Sequence, residues 1–215
     1  GHILRIADAA DEAFDPVNLS SQLLEELAAR PFSLLRAKAE PAMRNAVEAA
    51  RMAADSVGGV VEIAAVGLPA GLGSPMFDGV ENRLAPLFFG IPAVKGVEFG
   101  DGFALAGMRG SQANDPYAYD ASGRVVTTSN HNGGILGGIT SGMPLIVRLA
   151  VKPTASIGQP QRTVDLVAGR EAELVVKGRH DPCIVPRALP VAEAALALGL
   201  LDILETEAIP AHCAD

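Results

Sequence analysis

The sequence predicts an α+β fold in which helices pack on mixed or antiparallel sheet layers. Three observations carry that reading. First, strand-like and helix-like segments are interspersed along the 215 residues. Second, two pairs of strand segments are joined by tight glycine-containing turns. Residues 94–99 and 103–108 flank Gly100-Asp101-Gly102, and residues 162–167 and 171–176 flank Ala168-Gly169-Arg170. Such spacing is that of hairpins, not of βαβ crossovers. Third, 49% of the residues are hydrophobic, only 4% are aromatic and none is Trp. The core must therefore be large and aliphatic.

The elements follow in order. Ile3, Leu4 and Ile6 predict a short strand, and residues 8–18 an acidic turn. Ser20 or Ser21 can cap a helix with apolar positions Leu23, Leu24 and Leu27, ended by Pro31. Pro41 suits the first turn of a second helix. Its apolar positions are Met43, Val47, Ala50 and Ala54, and Gly58-Gly59 closes it. A strand is predicted over 60–68, a loop over 69–75, and a helix over 77–89 in which Pro86 kinks or shortens the pattern. Residues 110–128 read as one long polar loop. Leu145–Val151 is an apolar strand. Residues 178–187 form a charged turn. Residues 189–204 form a last helix, apolar on most faces and so expected to be buried.

Composition excludes several functions. A net charge of -8 argues against non-specific nucleic-acid binding, which needs basic patches. No apolar run approaches a membrane span, and the first residues lack the basic start and long apolar region of a signal peptide. Cys183 and Cys213 fit neither a metal site nor a disulfide framework, which points to a reducing compartment. His2 and His131 are isolated histidines without metal-ligand spacing, and His212 sits near the C-terminus.

Two stretches are dense in chemistry. Residues 129–142 hold five glycines within ten residues, from Gly133 to Gly142. That is too many for a helix, since each costs about 1 kcal/mol relative to alanine. Asn130, Asn132, Thr140 and Ser141 offer donors beside the bare backbone, and Ile135, Leu136 and Ile139 distinguish it from a solvated linker. The reading is an ordered loop that holds an anionic ligand. The cations available to such a ligand are Arg109, Arg148, Lys152, Lys177, Arg179 and Arg187. The second stretch is Gly178-Arg179-His180-Asp181-Pro182-Cys183. It is either an exposed charged turn with an Arg–Asp pair or, with Arg187, part of an anion pocket. Residues 110–115 either line a pocket or make an Asn-Asp turn. Lys95, taken singly, reads as a surface lysine.

Four blocks then resemble the chorismate synthase family, in that family's order. They are Gly67-Leu68-Pro69-Ala70-Gly71-Leu72-Gly73-Ser74-Pro75-Met76-Phe77-Asp78, then Gly90-Ile91-Pro92-Ala93-Val94-Lys95-Gly96-Val97-Glu98-Phe99-Gly100, then Ser129-Asn130-His131-Asn132-Gly133-Gly134-Ile135-Leu136-Gly137-Gly138-Ile139. The fourth is Lys152-Pro153-Thr154-Ala155-Ser156 together with Arg179-His180-Asp181-Pro182-Cys183. The resemblance implies a β-α-β sandwich and a cytoplasmic homotetramer. It implies a lyase that eliminates phosphate from 5-enolpyruvylshikimate 3-phosphate in an overall 1,4 sense, on the route to aromatic amino acids. The cofactor implied is reduced FMN, with NADPH as a source of its reduction.

By the same resemblance, Pro92 and Ala93 match a backbone segment at the flavin and Gly137 a glycine of the flavin loop. Lys152, Pro153, Thr154, Ala155 and Ser156 match the segment that holds the FMN phosphate and ribityl chain. Arg179 matches an arginine at flavin and substrate, and Asp181 an aspartate near flavin N5. The chain is then expected to be one domain over 1–215, with 1–57 as a strand and helical connection and 58–205 as the flavin and substrate portion. The family's GESHG-like and SARET-like motifs, its arginine-rich segment and its two acid histidines are not found in the sequence. Little or no synthase activity is expected of this chain alone. Two other readings stay open at this stage: an inactive FMN-binding or assembly fragment, and an unrelated binding module whose glycine-rich loop holds a phosphate.

Overall fold

The computed structural model describes residues 1–208. His212 and Cys213 lie outside the described residues. Strand β1 (His2–Ile6) turns through Ala7 into the two-residue β2 (Ala9–Ala10). Helix α1 (Ser21–Ala28) starts at Ser20, whose hydroxyl accepts the Leu23 N–H at 3.2 Å. A 3-10 turn, Ala37–Ala39, runs directly into α2 (Glu40–Met52). Then come β3 (Gly59–Ala65), a 3-10 turn at Met76–Asp78, α3 (Val80–Phe89) and β4 (Val94–Phe99). After a second 3-10 segment, Gly102–Gly107, the chain forms α4 (Gly110–Ala113), β5 (Tyr117–Tyr119) and β6 (Val125–Thr127). The two-residue strands β7 (Ile135–Leu136) and β8 (Ile139–Thr140) precede β9 (Leu145–Val151). Strands β10 (Gln161–Asp165) and β11 (Arg170–Leu174) form the expected hairpin, and α5 (Val185–Ala208) ends the described chain.

One five-stranded sheet organises these elements, in the order β2-β1-β3-β9-β4, and every neighbour is antiparallel. The strand period of two sends alternate β9 residues to opposite faces. Leu145, Val147, Leu149 and Val151 enter the main core with Val61 and Ile63 of β3, Leu84 and Phe88 of α3, and Leu189, Leu196 and Ile203 of α5. Each fully buried side chain of this kind is worth about 1.5–3 kcal/mol. The other face grades from covered to open along the same strand. Ile146 joins a small core with Phe14, Leu19 and Leu27 of α1. Arg148 reaches the buried Glu62 at 2.8 Å. Ala150 is exposed.

Several expectations are corrected. Residues 103–108 are not a strand paired with β4. That edge of β4 stays unpaired because the chain turns away at Gly100 (φ 57) and winds into the 3-10 segment Gly102–Gly107. Glu98 then accepts the Phe103 N–H at 3.1 Å and stabilises the 3-10 segment. Residues 110–128 are not one loop, since β5 and β6 pair within them. Strand β3 stops at Ala65 instead of Leu68. The helix expected from residue 77 starts at Val80, after Gly79, and carries Pro86 inside its span. Helix α5 starts at Val185, earlier than expected, and is buried along one stripe only. Leu189, Ala192, Leu196, Leu200 and Ile203 are covered, whereas Val191, Leu198 and Leu201 are exposed. The sheet and α3 reach one side of it, and Gly199 lets α3 approach: a Cβ there would lie 2.4 Å from Leu84 Cδ2.

Candidate functional site

The glycine-rich stretch is ordered, but its side chains serve the fold. Asp115 gathers it from below. Its carboxylate accepts from Ser129 Oγ at 2.8 Å, His131 N–H at 2.8 Å, Asn132 N–H at 3.0 Å and Asn132 Nδ2 at 2.8 Å. Burial pushes this carboxyl upward, but the donors of Asn132, Ser129 and His131 outweigh it and hold the group below its usual range. Asn130 bridges the carbonyls of Pro16 and Pro144, and its Oδ1 accepts the Gly134 N–H at 2.6 Å. Thr140 Oγ1 donates to Pro69 and accepts from Leu72. His131 Nδ1 meets Asp101 at 2.6 Å. Of the side chains read from sequence as ligand donors, Asn130, Asn132 and Thr140 are thus spent inside the protein, whereas Ser141 Oγ only accepts the Met143 N–H at 3.4 Å. Residues 110–115 are more than a simple Asn-Asp turn, because they include α4 and end in this anchor, Asp115. Gly137 differs. It lies exposed in the β7–β8 turn at φ 62, and a Cβ added there would meet nothing within 4 Å.

A second cluster forms at the far end of β9. Pro153 follows the strand and Lys152 donates its backbone N–H to Ala93 at 2.9 Å. Ala93 takes a left-handed conformation, φ 73, which is costly for alanine. Ser56 Oγ donates to the Thr154 carbonyl at 2.6 Å. Thr154 Oγ1 is buried with no hydrogen-bond partner, a state that ordinarily costs about 1–3 kcal/mol. Gly58 must be glycine here, since a Cβ would lie 2.4 Å from the Val151 carbonyl oxygen. Beside this segment, on the open part of the sheet, is a cleft of about 530 Å³ whose wall includes Arg5, Asp8, Lys95 and Lys152.

The charged turn sits next to it. The Val57 N–H donates to the Pro182 carbonyl at 2.8 Å, which ties the turn to the residues preceding Gly58. Arg179, His180 and Asp181 line a hollow of about 360 Å³ with Arg51 and Arg187. Asp181 pairs with Arg187 at 2.5 Å and not with Arg179. Arg179 is exposed and has no carboxylate partner among the described residues. His180 donates from Nε2 to the Val176 carbonyl at 2.8 Å. Cys183 is buried, and burial raises its thiol above the usual value, so it is no ready nucleophile. Among the described residues no group of His, Cys, Asp and Glu could hold a metal, and no helix is long and apolar enough to cross a membrane.

The structure therefore brings Ala93 together with the 152–156 segment and sets the 179–181 turn beside it. Gly137 is elsewhere. Gly138 meets the first residue of α3, whereas Pro92 and Ala93 follow its last turn. Ten helical residues separate the two ends, about 15 Å at 1.5 Å per residue.

Sequence reasoning missed a polar row through the middle of the sheet. The fully buried Glu62 accepts from His2 Nε2 at 2.9 Å, Phe14 N–H at 2.7 Å and Arg148 Nε. Burial pushes its carboxyl up, but those three donors prevail and hold it low. The signal was a Glu and an Arg inside otherwise apolar strands. Arg5 was missed because the apolar residues of β1 carry its strand pattern and an alternating charge adds nothing to it.

With this geometry in place, comparison with known proteins is decisive. The chorismate synthase family model matches residues 1–204. The chain belongs to the chorismate synthase family. A chorismate synthase of Chloroflexus aggregans is 47% identical over 204 residues, covering 95% of this chain and 54% of the relative. One from Thermococcus gammatolerans is 57% identical over 162 residues, covering 75% and 45%. A crystal structure of chorismate synthase superposes with a TM-score of 0.77 at 27% identity, over 96% of this chain and 56% of that one. The chain thus spans about half the length of the chorismate synthases it matches.

Proposed function

We propose that the chain carries the flavin- and substrate-binding part of a chorismate synthase, which releases phosphate from 5-enolpyruvylshikimate 3-phosphate to give chorismate. The observation that supports this most is the Lys152–Ala93 junction, where the family's 152–156 segment meets residue 93 beside a cation-lined cleft. FMN fits the residues present. Thr154 Oγ1 is a buried hydroxyl without a partner, and Lys152 and Arg179 have no carboxylate partner among the described residues.

Lys152, Pro153, Thr154, Ala155 and Ser156 would hold the phosphate and ribityl chain, and Pro92 and Ala93 would present backbone to the ring. Arg179 would bind an anionic group of flavin or substrate, and Gly137 would offer exposed, left-handed backbone. Reduced FMN, when bound, supplies transient electron density to a reaction with no net redox change. The substrate loses a ring proton and its phosphate leaves with the C–O electron pair. Fixed positive charge from Arg179 would lower the cost of that departing anion. Arg187 pairs with the Asp181 carboxylate, and Asp181 would hold or pass on a proton beside the bound flavin. NADPH as reductant, a homotetramer and a cytoplasmic setting complete the proposal.

The test is a titration followed by an assay. FMN at 100 times its Kd should add about 2.7 kcal/mol of stability. No shift in melting temperature with FMN would sink the reading. In Asp181→Ala of the complete enzyme, turnover should fall far more than FMN affinity, and wild-type turnover there would remove the role. A second reading, FMN binding without turnover, is favoured by the chain's spanning only about half the length of the chorismate synthases it matches. Steady chorismate formation by this chain with reduced FMN would exclude it.

A further inference from the structure

We propose that the open half of the sheet is a phosphate-monoester site in which Arg5 and Lys95 are the principal binding residues, with Lys152 as a third cation. The proposal rests on the functional reading above for Lys152, and adds two residues to it. Its basis is an imbalance of charge. Of the 17 Lys and Arg, about half pair with a carboxylate among the described residues, Arg36, Lys38, Arg44, Arg51, Arg83 and Arg148 among them. Arg5, Lys95 and Lys152 make no such pair among the described residues, yet all three line one cleft. Asp8 is the one carboxylate in that wall, so the lining carries three positive charges against one negative. The net matches a phosphate monoester, which carries about -1.5 to -2 at neutral pH.

The backbone explains why the space exists. Arg5 pairs with Val60 on β3, Val60 with Ala150 on β9, and Ala150 with Gly96 on β4. Across the sheet, small or short side chains form the floor and the cations rise at the two sides. The β4 register slips between Val94 and Gly96, so Lys95 sits in a bulge, a device that re-aims a side chain. Ala7, just beyond Arg5, is held at φ 48, and Ala93, just before this bulge, at φ 73. Two left-handed alanines flank one cleft, each sparsely populated for a residue with a Cβ. Further along the same sheet face, Phe14 and α1 cover Ile146, and the Asp11–Leu19 region spans Glu62. The cleft is the part of this face that the described chain leaves bare. At about 530 Å³ it has the size of a site for a small phosphorylated molecule.

The phosphate can come from FMN or from the phosphorylated substrate, and the test separates the two. The 215-residue chain, Arg5→Gln/Lys95→Gln, and the control Arg170→Gln on the exposed hairpin are compared. Inorganic phosphate should raise the melting temperature of wild type and control but not of the double variant. Affinity for the relevant monoester should fall roughly tenfold per lost cation, the scale of one charge-assisted hydrogen bond. A loss for FMN but not riboflavin assigns the cleft to the flavin phosphate. A loss for 5-enolpyruvylshikimate 3-phosphate with FMN unaffected assigns it to the substrate. An unchanged phosphate shift and unchanged monoester affinities in the double variant overturn the proposal, as does a wild type indifferent to phosphate. The two readings fail separately. FMN binding equally to all three proteins with no phosphate response removes the cleft and leaves the flavin reading. A phosphate response lost in the double variant, with no flavin bound by wild type, removes the flavin reading and leaves the cleft.

Discussion

The two ends of β9 are built from similar polar material and use it in opposite ways. At the start of the strand, Ser129, Asn130, Asn132 and Thr140 spend their hydrogen-bonding groups on Asp115 and on backbone carbonyls. At the end, Lys152 and Arg179 keep their charges unpaired, and Thr154 keeps a hydroxyl unpartnered. A polar residue that is spent contributes stability and little binding. One that is unspent costs stability and is available to a ligand. The difference between the ends is therefore a difference in where stability and binding can be perturbed.

The largest effect should come from the spent end. Gly133 sits at φ 63, and a Cβ there would lie 2.3 Å from the Gly100 backbone nitrogen. Neither backbone can give way, because Gly100 also donates to Ile146 at 3.0 Å. Gly133→Ala is expected to cost about 3 kcal/mol or more, read as a fall in the urea midpoint. A variant within about 0.5 kcal/mol of wild type, the size of a neutral surface change, would show that the loop is looser than its packing.

Next is Asp115→Ala, which strands the donors of Ser129, His131 and Asn132 and should cost roughly 2 kcal/mol. It also carries a pH signature. The Asp115 carboxyl is held below 3.8 when folded, so its stabilisation is present above that value and is lost as pH falls through the folded value. Wild type should lose stability over that acid range more steeply than Asp115→Asn. Parallel curves would mean that the anchor contributes no net charge-dependent stability.

How much of this was readable in advance follows from range. The cap at Ser20, helix α2 from its proline, the apolar strand β9 and the β10–β11 hairpin are set by neighbours in sequence, and they read correctly. The false hairpin after β4 did not, because residues 102–107 wind into a 3-10 segment held by Glu98, and the actual partner of β4 is β9, far along the chain. The outer face of α5 misled for a similar reason: Leu198 and Leu201 are as apolar as Leu196, and only the placement of the sheet decides which is covered. At the site, the residue types were legible and their use was not. Asn132 and Lys152 both looked like ligand groups. What separates them is Asp115, which lies at least 14 residues from the loop groups that its carboxylate holds, and the lack of any such partner beside Lys152.

The smallest effect on stability sharpens the contrast most. Lys152 is exposed, pairs with no carboxylate among the described residues, and touches the fold through its backbone N–H to Ala93, which any non-proline residue retains. Lys152→Gln should therefore change the unfolding free energy by less than about 0.5 kcal/mol. It should nevertheless weaken FMN roughly tenfold, since one charge-assisted contact to a phosphate is lost, and flatten the dependence of FMN affinity on salt. Asp115→Ala should show the reverse: a large stability loss and, in the fraction that stays folded, near-normal FMN affinity. Should Lys152→Gln destabilise the chain as much as Asp115→Ala, the charge is spent on the fold after all. Both ends of β9 would then be scaffold, and the ligand would have to be sought elsewhere.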